Sequence, residues 1–375
     1  MRIFSDFAGG NIIVDSIEES DILNSTTIRL RQDIRDSASW WFWWHFGIED
    51  VKPGRQLVFV FTDGDVVSTY GPAVSYDGIN YKIGGGATFI SEQSFCFTFS
   101  EGIERVYFAF SLPYQVSHFE RFRREYLDAH DDVVCDVLAL SEQGREIPVV
   151  RIGHGGENVI FACRHHCCES PASYVLEGIM RMLTRSAALC ERFTFHIFPF
   201  ADIDGVENGD QGKDRKPHDH NRDYTDEPIY NFTKAIYRYT ADMEVKAYID
   251  LHSPWKWGRI DDMTHIHLGP VPKGKRELQR LFCESLTGIT CSSDNPNTIL
   301  YDSKVFFSVY GGGLSNRIGT PSSKNYFGLK KNADMTIAIE TPYFGNNIDP
   351  HSAENLHEFG ENIVKALGMT VSDFI

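Results

Sequence analysis

Four short segments end apolar runs with groups that metal-assisted hydrolysis needs: NVIFACRHHCCE (158–169), HDHNRDY (218–224), KAYIDLHS (246–253) and MTIAIET (335–341). In the first, His166 and Glu169 stand three residues apart where a strand gives way to a helix that Ser170 can cap and Pro171 can begin. In the third, His252 follows the run 247–251 and is the expected third ligand, because a catalytic zinc takes three protein ligands and keeps one position open for water. Glu340 ends the buried run 336–339, a costly place for a carboxylate unless it is paired or used. Desolvation there would raise its pKa toward the range of a general base, and the plain alternative is a buried salt bridge. In a parallel α/β sheet, ligands gather outside the carboxyl ends of the strands, so such segments can converge on one crevice.

Neighbouring residues are sorted by geometry and chemistry. His165 points to the opposite side of an extended chain from His166 and is read as structural, while Asp250 is a candidate outer carboxylate behind His252. His218 and His220 invite another metal reading, but Arg222 is the stronger feature: a planar guanidinium grips a carboxylate through two hydrogen bonds, and Asn221 can share the load. Arg215, in the polar loop 207–217, is placed for a second anionic contact, or else lies in a solvated turn. His265 and His267 lie in a strand-like segment and are read as a packed pair.

The elements that must position these groups follow from the patterning. Up to about residue 114 the chain reads as short strands, including RQLVFVFT (55–62), SFCFTFS (94–100) and RVYFAFS (105–111), separated by Gly and Asp turns, which suggests an antiparallel β-sandwich. Within it, Trp40, Trp41, Phe42, Trp43 and Trp44 form an aromatic block read as a strand with both faces covered, packing in the core or at a domain interface. A helical connector is expected over 117–130, and beyond it the rhythm becomes strand then helix, the sign of an α/β domain. Strands are expected at 159–163, 193–198, 245–251 and 336–339, with helices after Ser170, Asp226 and Lys273 and over 352–367. The domain expectation is therefore 1–115 for the β-sandwich and 116–375 for a catalytic domain with a mixed, largely parallel sheet flanked by helices.

Bulk properties exclude more than they assign. With 23% charged and 42% apolar residues the chain has an ordinary globular balance, and a net charge of −16 argues against nucleic acid, which is bound through clustered Lys and Arg. No apolar stretch approaches the ~20 residues that span a bilayer. The start MRIFSDFAGG lacks a signal-peptide layout, so a cytoplasmic protein with reduced cysteines and no membrane partner is expected.

Taken in order, HxxE, the DGV of 204–206, Asn221-Arg222, DLHS (250–253) and IET (339–341) resemble the zinc carboxypeptidase family. The segment FAFSLPY (108–114) is similar to the end of the extra β-domain in its cytosolic branch. The resemblance implies one zinc ion on His166, Glu169 and His252, Asn221 and Arg222 on the terminal carboxylate of a peptide or protein, Arg215 polarising the scissile carbonyl and Glu340 as general base. It also implies a substrate-side tyrosine, for which Tyr326 is the first candidate and Tyr310 the second, because the usual spacing is not reproduced. Members of that branch favour acidic C-terminal residues, so Arg317, Lys324 or Lys330 is an expected pocket cation. Two other readings stay open: a deacylase of N-acyl amino acids with the same metal site, and a binding protein whose structural zinc takes Cys167 or Cys168.

Overall fold

A computed structural model describes residues 1–37, 41–291, 320–345 and 349–372; Trp40, Tyr310 and Arg317 lie outside them. Ten strands precede residue 110 among the described residues: β1 (Arg2–Phe4), β2 (Ile13–Ser20), β3 (Ser25–Arg31), β4 (His45–Glu49), β5 (Gln56–Phe61), β6 (Ala73–Ser75), β7 (Lys82–Ile83), β8 (Thr88–Ser91), β9 (Ser94–Thr98) and β10 (Arg105–Ala109). They build two five-stranded sheets, β1-β4-β10-β6-β7 and β2-β3-β5-β9-β8, antiparallel throughout except for the β3–β5 pair. Alternation aims Leu57, Phe59 and Phe61 of β5 inward. Phe59 meets Phe95 of its own sheet at 4.7 Å and Phe108 and Phe46 of the other at 5.2 and 5.4 Å, so an aromatic core joins the two layers.

The aromatic block departs from the strand expected for it. Residues 41–44 are irregular and the strand begins only at His45. The backbone N–H of Phe42 donates to Gln211 Oε1 at 2.6 Å and the Trp41 indole donates to the Trp43 carbonyl at 2.7 Å, which satisfies the chain without a ladder. The rings are buried, with Phe42 against Tyr343 and Trp255.

After the helix Val116–Glu125 come β11 (Val133–Leu140), β12 (Glu146–Ile152), β13 (Glu157–Cys163), β14 (Phe193–Phe198), β15 (Val245–His252), β16 (His265–Leu268) and β17 (Met335–Glu340), in the sheet order β11-β12-β14-β13-β15-β17-β16. The four central strands β14-β13-β15-β17 are parallel, and the edges are antiparallel. β13, β15 and β17 are buried almost end to end, as strands covered by helices on both faces must be. The helices Pro171–Leu183 and Ala353–Ser372 cross in backbone contact: a Cβ on Gly178 would stand 2.0 Å from the His357 carbonyl oxygen, and one on Gly360 2.1 Å from that of Val175. The register sets His252 beside Glu340 on neighbouring strands, with His265 across from Glu340 on the other side.

Candidate metal centre and hydrolytic pocket

His166 and Glu169 leave the end of β13 on a tight turn leading into the helix Pro171–Leu183, which begins at Pro171 although the Ser170 hydroxyl makes no cap. His252 is the last residue of β15. Their nearest ligand atoms all lie within 4.8 Å of one another. His166 Nδ1 is 2.9 Å from Glu169 Oε1 and His252 Nδ1 is 2.7 Å from Oε2, so one carboxylate faces both imidazoles. Behind them, Asp219 lies 3.5 Å from His166 Nε2, and Asp250 Oδ2 lies 2.8 Å from His252 Nε2. A carboxylate on the far nitrogen holds the proton there and turns the Nδ1 lone pair inward, the usual arrangement of metal-ligating histidine. Two lone pairs aimed at a carboxylate repel unless a cation or protons lie between them, so the donor set fits a divalent metal.

The local field says the same. Burial would push Glu169 up, but Lys213 and the two imidazoles hold it well below the ordinary carboxylate range. Burial lowers His252, yet Asp250 and Glu169 raise it well above the usual histidine value. Asp250 also bonds His165 Nδ1 at 2.9 Å and accepts from the Ser323 hydroxyl at 2.5 Å, and His165 Nε2 meets the Tyr224 hydroxyl at 2.8 Å. His165 thus stands behind the centre and fixes the orienting carboxylate.

A cavity of about 300 Å³ opens beside these groups, walled by Glu340, Lys213, Arg222, Asp219, His265 and His267 among others. Burial raises the pKa of Glu340, with His252 opposing and Glu169 adding. Its Oε2 is buried without a hydrogen bond, and Oε1 lies 3.8 Å from His267 Nε2. Lys213 is the ammonium on this wall: Nζ is 2.9 Å from Glu169 Oε1 and donates to the carbonyls of Ser253 and Pro254 at 3.0 and 2.5 Å. Glu340 and Arg222 on this wall were expected from the sequence, and Lys213 was not. His265 and His267 form the packed pair read from the sequence, ring centroids 5.2 Å apart and edge to face, and on their edge strand both also line the cavity.

Several expected site residues lie elsewhere. Arg215 is not on the cavity wall; its guanidinium is held outside it by Asp36, Asp202 and Asp210 at 2.5, 2.6 and 3.2 Å, a three-carboxylate cage. The loop instead turns at Gly212 (φ +79°), where a Cβ would stand 2.7 Å from the Cys167 nitrogen, and sends Lys213 inward. Asn221 is spent as well: its Oδ1 accepts the Ser323 backbone N–H at 3.0 Å and its Nδ2 packs 3.0 Å from His252 Nε2, so it is fixed behind the ligand rather than facing the cavity. Arg222 does face it, bonded through Nη1 to the Asn221 carbonyl. Tyr326 sits on the helix Ser323–Leu329, stacked on Tyr237 at 4.4 Å and away from the cavity. Lys324 donates to the His267 carbonyl and Lys330 approaches Asp226 at the surface. His218 bonds Asp223 while His220 stacks on Tyr230 at 3.7 Å, so that pair does not chelate. Cys167 and Cys168 donate to the Asp210 carbonyl and approach the Tyr343 hydroxyl, and burial pushes the Cys168 thiol up to about 12, so neither presents a thiolate to the centre.

The loop that carries Lys213 is strapped down by the N-terminal portion. Asn11 Nδ2 donates to the Gly209 carbonyl, Arg35 pairs with Asp210 at 2.8 Å, and the Ser37 hydroxyl donates to the Lys213 carbonyl at 2.9 Å. Gln211 receives the Phe42 amide.

A doubly flanked, mostly parallel sheet with a His/Glu/His cluster at its carboxyl edge defines the metallohydrolase class of site. Residues 3–111 match the cytosolic carboxypeptidase N-terminal domain and residues 120–257 match zinc carboxypeptidase. These two matched segments are those of the zinc carboxypeptidases in their cytosolic carboxypeptidase branch. It is 29% identical over 184 residues to cytosolic carboxypeptidase 6 of Caenorhabditis elegans, a match that spans 43% of this chain and 39% of that relative. The fold is also that of a Burkholderia cenocepacia metallo-carboxypeptidase (TM-score 0.78, 17% identity, 100% of both chains). A Pseudomonas aeruginosa metallo-carboxypeptidase, solved in complex with (2-guanidinoethylmercapto)succinic acid, is similar at TM-score 0.77 and 20% identity over 100% of both chains.

Proposed function

We propose that this protein is a cytoplasmic zinc carboxypeptidase that hydrolyses the C-terminal peptide bond of peptides or proteins, with acidic residues as the favoured leaving group. The observation that carries the reading is the convergence of His166, Glu169 and His252, with Glu340 beside His252 in strand register. Zinc held by those three side chains would supply a water of lowered pKa and a Lewis acid for the carbonyl. Glu340, desolvated and raised, takes the proton of the attacking water and delivers it to the leaving amine. Lys213, in place of Arg215, supplies the positive charge on which the developing oxyanion is stabilised. Arg222 grips the terminal carboxylate, and Asn221 packs behind His252. His265 and His267 on the wall would be the donors for an acidic terminal side chain.

The test is a library of peptides differing in the last residue, each with a free or amidated C-terminus, assayed with and without chelator alongside metal analysis. One bound zinc and chelator-sensitive release of single residues from free ends only are expected. Cleavage that survives chelation, or activity confined to N-acyl amino acids, would overturn the reading.

A further inference from the structure

Lys213 is 5% exposed, and three aromatic rings close around its ammonium. Nζ lies 5.6 Å from the ring centroid of Tyr343, 5.8 Å from that of Phe42 and 6.0 Å from that of Trp255, each at the range of a cation–π contact. The rings brace one another edge to face: Phe42 meets Tyr343 at 5.5 Å and 71° and Trp255 at 6.2 Å and 78°. They come from three distant parts of the chain. Trp255 stands on the loop after His252, Tyr343 on the segment after Glu340, and Phe42 in the N-terminal portion. Phe42 is fixed from both sides: its ring is buried against Phe110 at 5.0 Å, and its backbone N–H donates to Gln211, two residues before Lys213.

The surroundings suit a cation that has to stay charged. Among the described residues, Glu169 is the carboxylate within ion-pair distance of Lys213, at 2.9 Å, and Glu169 is also a proposed metal ligand. A second carboxylate in place of the rings would neutralise the ammonium. The negative faces of aromatic rings offset part of its desolvation and leave the charge free for a developing oxyanion. A lysine side chain is a flexible four-carbon stem, so its ammonium keeps one direction only where its neighbours restrain it. We propose that Phe42 is a positioning residue for hydrolysis: with Trp255 and Tyr343 it boxes the Lys213 ammonium and keeps it directed at the cavity. The proposal rests on the reading of Lys213 as the cation that stabilises the oxyanion, and it adds a residue of the N-terminal portion to the groups that align the reaction.

Phenylalanine analogues bearing one, two and three ring fluorines are placed at position 42 of the zinc-loaded protein, with Lys213 intact and in a Lys213→Met background. Measured are kcat and KM for a peptide with a free C-terminus, zinc content and the urea midpoint. Each fluorine withdraws negative potential from the ring face at nearly constant volume, so a ring that only fills space gives a flat series. With Lys213 intact, kcat should fall stepwise, reaching about tenfold at three fluorines, while KM stays within about twofold. Zinc content and the urea midpoint should not move. In the Lys213→Met background the series should be flat, because the two residues act as one unit. A flat series with Lys213 intact, beside a crippled Lys213→Met, would overturn the box and leave the reading of Lys213 standing. An equal fall in both backgrounds would also overturn it, by tracing the effect to something other than the ammonium. A Lys213→Met protein with wild-type kcat would overturn the reading of Lys213, and the box with it.

Discussion

Lys213 and Arg215 lie two residues apart on one loop and are expected to fail in opposite ways when each is replaced by Met. Arg215 lies in a cage of Asp36, Asp202 and Asp210, and Asp202 is 1% exposed. Removing one partner of a buried ion pair costs about 3–5 kcal/mol, because the remaining charge is left uncompensated. Asp36 is 38% exposed and water can take over part of its solvation, so the lower end, about 3 kcal/mol, is expected for Arg215→Met. Against a total stability of ~5–15 kcal/mol that is a large loss, visible as a drop in the urea midpoint. Turnover per folded molecule should stay within about tenfold of wild type. Lys213→Met removes the charge facing the cavity, and losing one preorganised donor typically lowers kcat by about 10²–10³. Zinc content should hold in both variants. Urea denaturation and kcat, each corrected for the folded fraction, separate the two. If Arg215→Met left the midpoint unchanged while kcat fell a hundredfold, and Lys213→Met were near wild type, the assignment of the working cation would be wrong.

Glu340→Gln keeps shape but not basicity, so hydrolysis should vanish while one zinc per chain is retained; residual turnover above about a hundredth of wild type would remove Glu340 as the base. Arg222→Ala should raise KM for peptides with a free C-terminus by well over tenfold, the loss of about 1.5–3 kcal/mol from a charge-assisted contact, and an unchanged KM would refute carboxylate docking. His351 is buried and lowered from 6.5 to about 4, chiefly by burial, so the unfolded chain binds its proton first as pH falls. Its contribution is therefore fully present above about pH 6.5 and is lost progressively toward pH 4, up to ~3 kcal/mol at 1.36 kcal/mol per pKa unit. His351→Asn should shrink the difference between urea midpoints at pH 7 and pH 5, and an unchanged difference would show that this imidazole is not the source. Gly178→Val should destabilise strongly or prevent folding, since its Cβ would fall 2.0 Å from the His357 carbonyl; a melting temperature like the wild type's would mean the helix crossing relaxes freely.

How much of this was legible in the chain depends on where each residue sits. His166, Glu169, His252 and Glu340 could be read because each closes a buried run, and parallel strands bring such ends to one edge without any knowledge of the loops. Strand Phe193–Phe198 was anticipated to the residue, but the hairpin β11–β12 was not, because its mixed exposure lacks a continuous apolar signal. Loop 207–217 defeated sequence reasoning for a steric reason: which of Lys213 and Arg215 turns inward is decided by the left-handed turn at Gly212 and by the contact of that glycine with Cys167. A usable signal existed in Asp202 and Asp210, two acids within thirteen residues upstream of Arg215, which foreshadow a paired rather than a working guanidinium. The orientation of Asn221 and the exposure of His265 and His267 to the cavity depend on neighbours far along the chain, Ser323 and Glu340, that local pattern does not reveal.

The strap across loop 207–217 makes the first hundred residues a partner in turnover rather than an appendage. A chain begun at residue 116 would retain every side chain directed at the metal but would lose Asn11, Arg35, Asp36, Ser37 and the Phe42 amide, all of which tie down that loop. Such a fragment should load its ion and idle. The same ties make the two portions one mechanical unit: a change at Gln211 or Asp210 loosens the seam from one side just as a change at Arg35 loosens it from the other, so grafting the opening segment of one relative onto the body of another would have to carry both sides of that junction together.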